Sequence, residues 1–167
     1  MSGTEVSDTP TRTLVVGVGN DDRGDDGLGP LAARRLARAW EADPPLHARA
    51  IAWTGDPMGL LDLLQRAEFQ NVERLVLIDA VVSGAAPGSC RRFGPDAPFR
   101  RAAATSSHGL GLEQALALAR AVGSAPALVE VWGIEGVEFS AGAAMTPEVE
   151  RAVAELIERL SEELRQP

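Results

Sequence analysis

The sequence predicts a three-layer α/β fold: an open, mostly parallel twisted sheet of about five strands, with helices on both faces and one edge hairpin strand. Two observations carry this. Apolar runs of strand length alternate with helical periodicities along the chain, and the first run passes straight into a glycine turn and then a helix. With 167 residues, 45% of them hydrophobic, the chain is long enough for one domain with a substantial core.

Residues 1–12 hold Ser, Thr, Asp and Pro with almost nothing to bury, and are expected to be a disordered tail ahead of a single domain over 13–167. Residues 14–18 read as a buried strand. Over 28–40, Leu28, Leu31, Ala32 and Leu36 fall on one helical face. Residues 47–53 are expected to form a second strand that includes His47, 58–65 a short helix, and 75–78 a fully apolar third strand. The turn Ala86-Pro87-Gly88 precedes an edge strand over 89–93. A helix over 110–122 and a strand over 128–132 follow. The last helix, 147–164, opens with Thr146 as cap and Pro147 at the first helical position. Its stripe of Val149, Val153, Leu156, Ile157 and Leu160 is explained by packing on the sheet, with a weak homodimer as the alternative to a monomer.

The formal charge of -8 argues against nucleic acid or an anionic membrane as partner. The first dozen residues lack an apolar leader core, and no run approaches the roughly 18 apolar residues of a membrane span, so a cytoplasmic protein is expected. Cys90 is the sole cysteine, which leaves oxygen and nitrogen ligands for any metal.

The most informative stretch is Val15-Val16-Gly17-Val18-Gly19-Asn20-Asp21-Asp22-Arg23-Gly24-Asp25-Asp26-Gly27. Gly17-x-Gly19 after a strand suggests a dinucleotide loop, but the fingerprint's third glycine is replaced by Asp22. Four aspartates at a helix start repel phosphate and attract a cation. One of them, Asp25 or Asp26, is also a reasonable helix cap.

Open α/β sheets bind ligands beyond the carboxyl ends of their strands, near the point where strand order reverses. If the order is 2-1-3, the loop holding Asp25 and Asp26 adjoins Asp79, which closes the third strand. His108, after Thr105-Ser106-Ser107 and before a helix, is expected to face the same crevice in this arrangement. Asp26, Asp79 and His108 then make a set suited to nickel, zinc, manganese or iron with positions left open. Each residue also has an ordinary explanation: a cap for Asp26, a turn at Ala80 for Asp79, a local hydrogen bond for His108.

These motifs resemble the hydrogenase maturation proteases, which remove a C-terminal extension from the large subunit of nickel-iron hydrogenases. The similarity runs from Leu14 to about Leu160: Val16-Gly17-Val18-Gly19-Asn20 with Asp25-Asp26-Gly27-Leu28-Gly29, then Leu77-Ile78-Asp79-Ala80 with Pro87-Gly88, then Ser107-His108-Gly109-Leu110-Gly111-Leu112, then Val131-Trp132-Gly133-Ile134-Glu135. The resemblance implies that the Asp26, Asp79 and His108 positions hold metal. It further implies that nickel arrives within the large-subunit precursor and that cleavage follows nickel loading. One departure stands out. Where many members carry Asp-Gly-Gly, this chain has Thr54-Gly55-Asp56-Pro57-Met58-Gly59, so Asp56 either supplies the missing catalytic acid or caps the next helix.

The cleavage step has two forms: a metal that polarises the carbonyl or activates water, or a general base among Asp25, Asp26, Asp56 and Asp79. A serine nucleophile is disfavoured, because no G-x-S-x-G elbow accompanies Ser106 and Ser107. The rival functions are a noncatalytic metal-dependent binding protein for a metalloenzyme precursor, a metallohydrolase of small substrates, and a nucleotide-binding module.

Overall fold

The computed structural model describes residues 11–45, 47–56, 58–94 and 111–165. The strands are β1 (Thr13–Val18), β2 (Ala48–Trp53), β3 (Arg74–Val81), β4 (Cys90–Phe93) and β5 (Leu128–Glu135). The helices are α1 (Leu28–Ala42), α2 (Gly59–Leu64), α3 (Gly111–Ala121) and α4 (Pro147–Arg165). Sheet order is β2-β1-β3-β5-β4, so the chain reverses direction of travel between β1 and β3 as the 2-1-3 arrangement requires. Every pairing is parallel except that of β4 with β5.

The antiparallel edge strand is present, but it does not close a hairpin on β3. β5 lies between them, and the turn before β4 is tied to β5: Gly88 N–H donates to the Glu135 carbonyl (2.8 Å) and Glu135 N–H to the Ser89 carbonyl (2.9 Å). Gly88 makes this approach possible, since its φ is +80° and an added Cβ would stand 2.7 Å from the Glu148 carbonyl oxygen.

Alternation along β3 divides the core into two layers. Val76, Ile78 and Ala80 join Trp132 and Ile134 under α1 and α4, while Leu75 and Leu77 join Val131 under α2 and α3. The α4 stripe is core: Val149, Val153, Leu156 and Leu160 are buried and Ile157 packs against the same cluster. Burying each such side chain contributes about 1.5–3 kcal/mol, which holds α4 to the sheet.

Three local expectations shift. β3 continues three residues past Ile78, because Asp79, Ala80 and Val81 keep pairing with Gly133, Ile134 and Glu135 after β1 has ended. Asp79 therefore sits inside the strand. Arg12 already belongs to the sheet margin: its N–H donates to the His47 carbonyl (2.8 Å) and its carbonyl accepts from Glu73 N–H (2.8 Å). His47 lies in the turn before β2 with φ +70°, its carbonyl also accepting from Thr13 N–H, so turn geometry and not strand pairing fixes it.

Candidate active site at the carboxyl ends of β1 and β3

Two glycines bring α1 onto the strand ends. A Cβ on Gly17 would lie 1.8 Å from the Gly29 carbonyl oxygen, and one on Gly29 would lie 2.3 Å from the Val18 oxygen and 2.5 Å from the Ile78 oxygen. Only bare backbone fits there. The first turn of α1, and the short 3-10 turn Gly24–Gly27 that leads into it, thus rest on the ends of β1 and β3. Asp26 in that turn is 6% exposed and Asp79 on β3 is 1% exposed. Asn20 N–H donates to the Asp26 carbonyl (3.2 Å), and the Asp79 Oδ1 accepts from Ala80 N–H (2.9 Å).

The four aspartates do four different things. Asp21 forms an exposed two-pronged pair with Arg34, at 3.1 and 2.5 Å. Asp22 is exposed, and its carbonyl accepts from Gly142 N–H (2.7 Å). Asp25 is fully buried and caps no helix: its Oδ2 accepts from Val137 N–H (2.9 Å) and Glu138 N–H (3.0 Å), its Oδ1 from Thr146 N–H (2.7 Å) and the Thr146 hydroxyl (2.9 Å). Burial alone would raise its pKa, but these hydrogen bonds outweigh that and hold the carboxyl below its usual value. Asp26 is not the α1 cap either, since Gly27 occupies that place.

Asp56 is exposed at the loop after β2. Its Oδ1 accepts from Met58 N–H (2.9 Å) and its carbonyl from Gly59 N–H (2.9 Å), which holds the turn ahead of α2. His108 lies outside the described residues, three positions before α3 begins. Among the described residues no group of three or more His, Cys, Asp and Glu is arranged to hold a metal. Of the expected set, Asp26 lies on the turn and Asp79 on the strand that the turn packs against. Aspartate carboxylates supply the oxygen ligands that a divalent cation takes.

Residue-by-residue reading missed Glu135. It is buried at the end of β5, and its carboxylate accepts from Ser83 N–H (2.8 Å), the Ser83 hydroxyl (2.7 Å) and Gly84 N–H (2.9 Å), fixing the loop that leaves β3 just beyond Asp79. Only its place in Trp132-Gly133-Ile134-Glu135 signalled it.

Comparison with known proteins bears on the family and the fold. A family model described as hydrogenase maturation protease (HycI) matches residues 56–163. The chain belongs to the hydrogenase maturation protease family. It is 30% identical over 158 residues to the hydrogenase expression/formation protein HupD of Thiocapsa roseopersicina, covering 92% of this chain and 67% of that one. Among solved structures it is similar to the hydrogenase maturating endopeptidase HybD from E. coli, with TM-score 0.67, 25% identity and 93% of each chain covered. A hydrogenase maturation protease HycI from Thermococcus kodakarensis shares the fold at TM-score 0.74 and 23% identity, covering 93% of this chain and 94% of that one. As a member of the hydrogenase maturation protease family the chain is a peptidase, and the five-stranded α/β sheet is the fold of that family. Among the described residues, no helix of this protease is long and apolar enough to cross a membrane.

Proposed function

We propose that this protein is the cytoplasmic endopeptidase that removes the C-terminal extension of a nickel-iron hydrogenase large-subunit precursor after nickel insertion. Nickel is part of the substrate. Asp26, Asp79 and His108 complete the coordination of nickel already held by the precursor, so that only loaded precursor is aligned for cleavage. The observation that supports this most is the burial of two carboxylates, Asp26 and Asp79, where the 3-10 turn packs on β3. Aspartate carboxylates are the hard oxygen ligands that a divalent cation takes, and here two of them come from elements packed on one another.

Hard oxygen ligands and one imidazole, with open positions, hold free metal modestly and gain affinity when a partner contributes further ligands from the same complex. Asp26, Asp79 and Asp56 are the acids assigned to the catalytic machinery. Bound nickel polarises a nearby carbonyl or water, and a carboxylate beside it accepts the proton of the attacking water. Asp25 is not the base, because both of its oxygens already accept hydrogen bonds from the 137–146 segment. The protein acts as a monomer or weak homodimer, and its acidic charge leaves nucleic acid and membrane surfaces outside its partners.

The test is the intact mass of the cognate precursor after incubation with the protein, with and without nickel loading, beside Asp26→Ala, Asp79→Ala and His108→Ala. A C-terminal peptide should leave only the loaded precursor, and each substitution should lower the rate at least about a hundredfold. Nickel-dependent association with unchanged mass would point instead to a noncatalytic checkpoint protein.

A further inference from the structure

We infer that Asp25 is a positioning residue for Asp26, acting as the clamp by which the segment between β5 and α4 sets the direction of the site carboxylate. This rests on the reading of Asp26 as a site residue given above. The clamp is two-way. The Asp25 carboxylate accepts from Val137, Glu138 and Thr146, while Asp25 N–H donates to the Glu138 carbonyl (2.7 Å), Gly24 N–H to the Ala143 carbonyl (3.2 Å) and the Arg23 Nε to the Phe139 carbonyl (3.2 Å). The fit is close: a Cβ on Gly24 would meet the Glu138 oxygen at 2.4 Å, and one on Gly136 would meet the Asp25 Cβ at 3.0 Å.

Neighbouring side chains on a 3-10 turn diverge, so fixing one fixes the rotation of the turn and hence the direction of the next. With Asp25 locked by donors on both oxygens, Asp26 has little rotational freedom left in its backbone. A site carboxylate must be held within about 0.5 Å of its productive place. The clamping segment also reaches solvent, since Val137 is 56% exposed beside the Glu138 amide that Asp25 accepts.

The Thr146 hydroxyl allows the clamp to be weakened without removing its main-chain donors. Asp25→Asn, Thr146→Val and Thr146→Ser are to be compared with wild type and Asp26→Ala in the full chain. Three quantities are measured: melting temperature, calorimetric affinity for nickel chloride, and kcat and KM on nickel-loaded precursor. Folded Thr146→Val should bind nickel at least about fivefold more weakly and lose about tenfold in kcat with KM changed less than twofold, and Thr146→Ser should restore both. Asp25→Asn should lose more in the same direction. If folded Thr146→Val and Asp25→Asn melt earlier yet keep wild-type nickel affinity and kcat, while Asp26→Ala loses them, Asp25 is scaffold only and the inference is overturned. If Asp26→Ala itself keeps wild-type affinity and cleavage, the underlying site reading fails and the inference falls with it.

Discussion

The Cβ position of Gly17 on β1 lies 1.8 Å from the carbonyl oxygen of Gly29 on α1. A helix whose backbone touches a strand this closely can project the loop between them only in one direction, and that loop carries Asp25 and Asp26.

Gly17→Ala should therefore force α1 off the sheet, costing about 3 kcal/mol or more, the upper range for overpacking a filled core. Glycines at open turns are the control: a Cβ at Gly123 or Gly142 would meet nothing within 4 Å, although their positive φ values still add a small strain. Urea denaturation of Gly17→Ala and Gly142→Ala checks this; equal midpoints would contradict the close approach.

Two ion-pair systems should differ sharply in worth. Glu130 is buried and pairs with Arg74 (2.6 Å) and with Arg92, while Arg74 also meets Glu163 on α4. Removing Glu130 takes the buried partner from Arg74 and Arg92, although both keep Glu163, so Glu130→Ala should destabilise by about 1.5–3 kcal/mol. The Asp21–Arg34 pair is nearly half exposed on both sides, and Asp21→Ala should change stability by no more than about 1 kcal/mol. Chemical denaturation of both variants makes the comparison.

Glu135→Ala should unfasten the loop after β3. Its carboxylate accepts from Ser83 and Gly84, and hydrogen bonds to a charged group are worth about 1.5–3 kcal/mol. Amide exchange at Ser83 and Gly84 should quicken more than at Val76 in the centre of β3. A uniform increase would mean that Glu135 supports the whole sheet and not this loop.

Stability at low pH should carry the signature of Asp25. Burial pushes its carboxyl up, the hydrogen bonds from Val137, Glu138 and Thr146 pull it down further, and the result lies below the usual carboxylate value. A folded-state pKa below the unfolded one means stabilisation that is complete above the unfolded value and is lost as pH falls through the folded one. Acidifying below about pH 4 should therefore lower the urea midpoint of wild type more steeply than that of Asp25→Asn. Parallel curves would contradict the sign of the shift.

The sheet was legible because burial on two faces leaves unbroken apolar runs, as in Leu75-Val76-Leu77-Ile78, and these do not depend on distant residues. Strand ends were less legible: Asp79 and Gly133 end their apolar runs, yet they pair with one another and carry the ladder onward. The placement of Asp26 and Asp79 was partly legible, since acids at the carboxyl ends of two neighbouring parallel strands fall at one edge. The separate fates of Asp25 and Asp26 were not. They depend on amides at Val137, Glu138 and Thr146, more than a hundred residues away, and main-chain donors leave no mark on composition or spacing.

The most direct test of the central claim is a nickel-edge X-ray absorption spectrum of the loaded precursor, alone and in complex with the protein, with its scissile bond blocked by substitution. Added oxygen and nitrogen ligands should appear on nickel in the complex, with oxygen scattering reduced when Asp26→Ala or Asp79→Ala is used. An identical nickel environment with and without bound protein would contradict that claim.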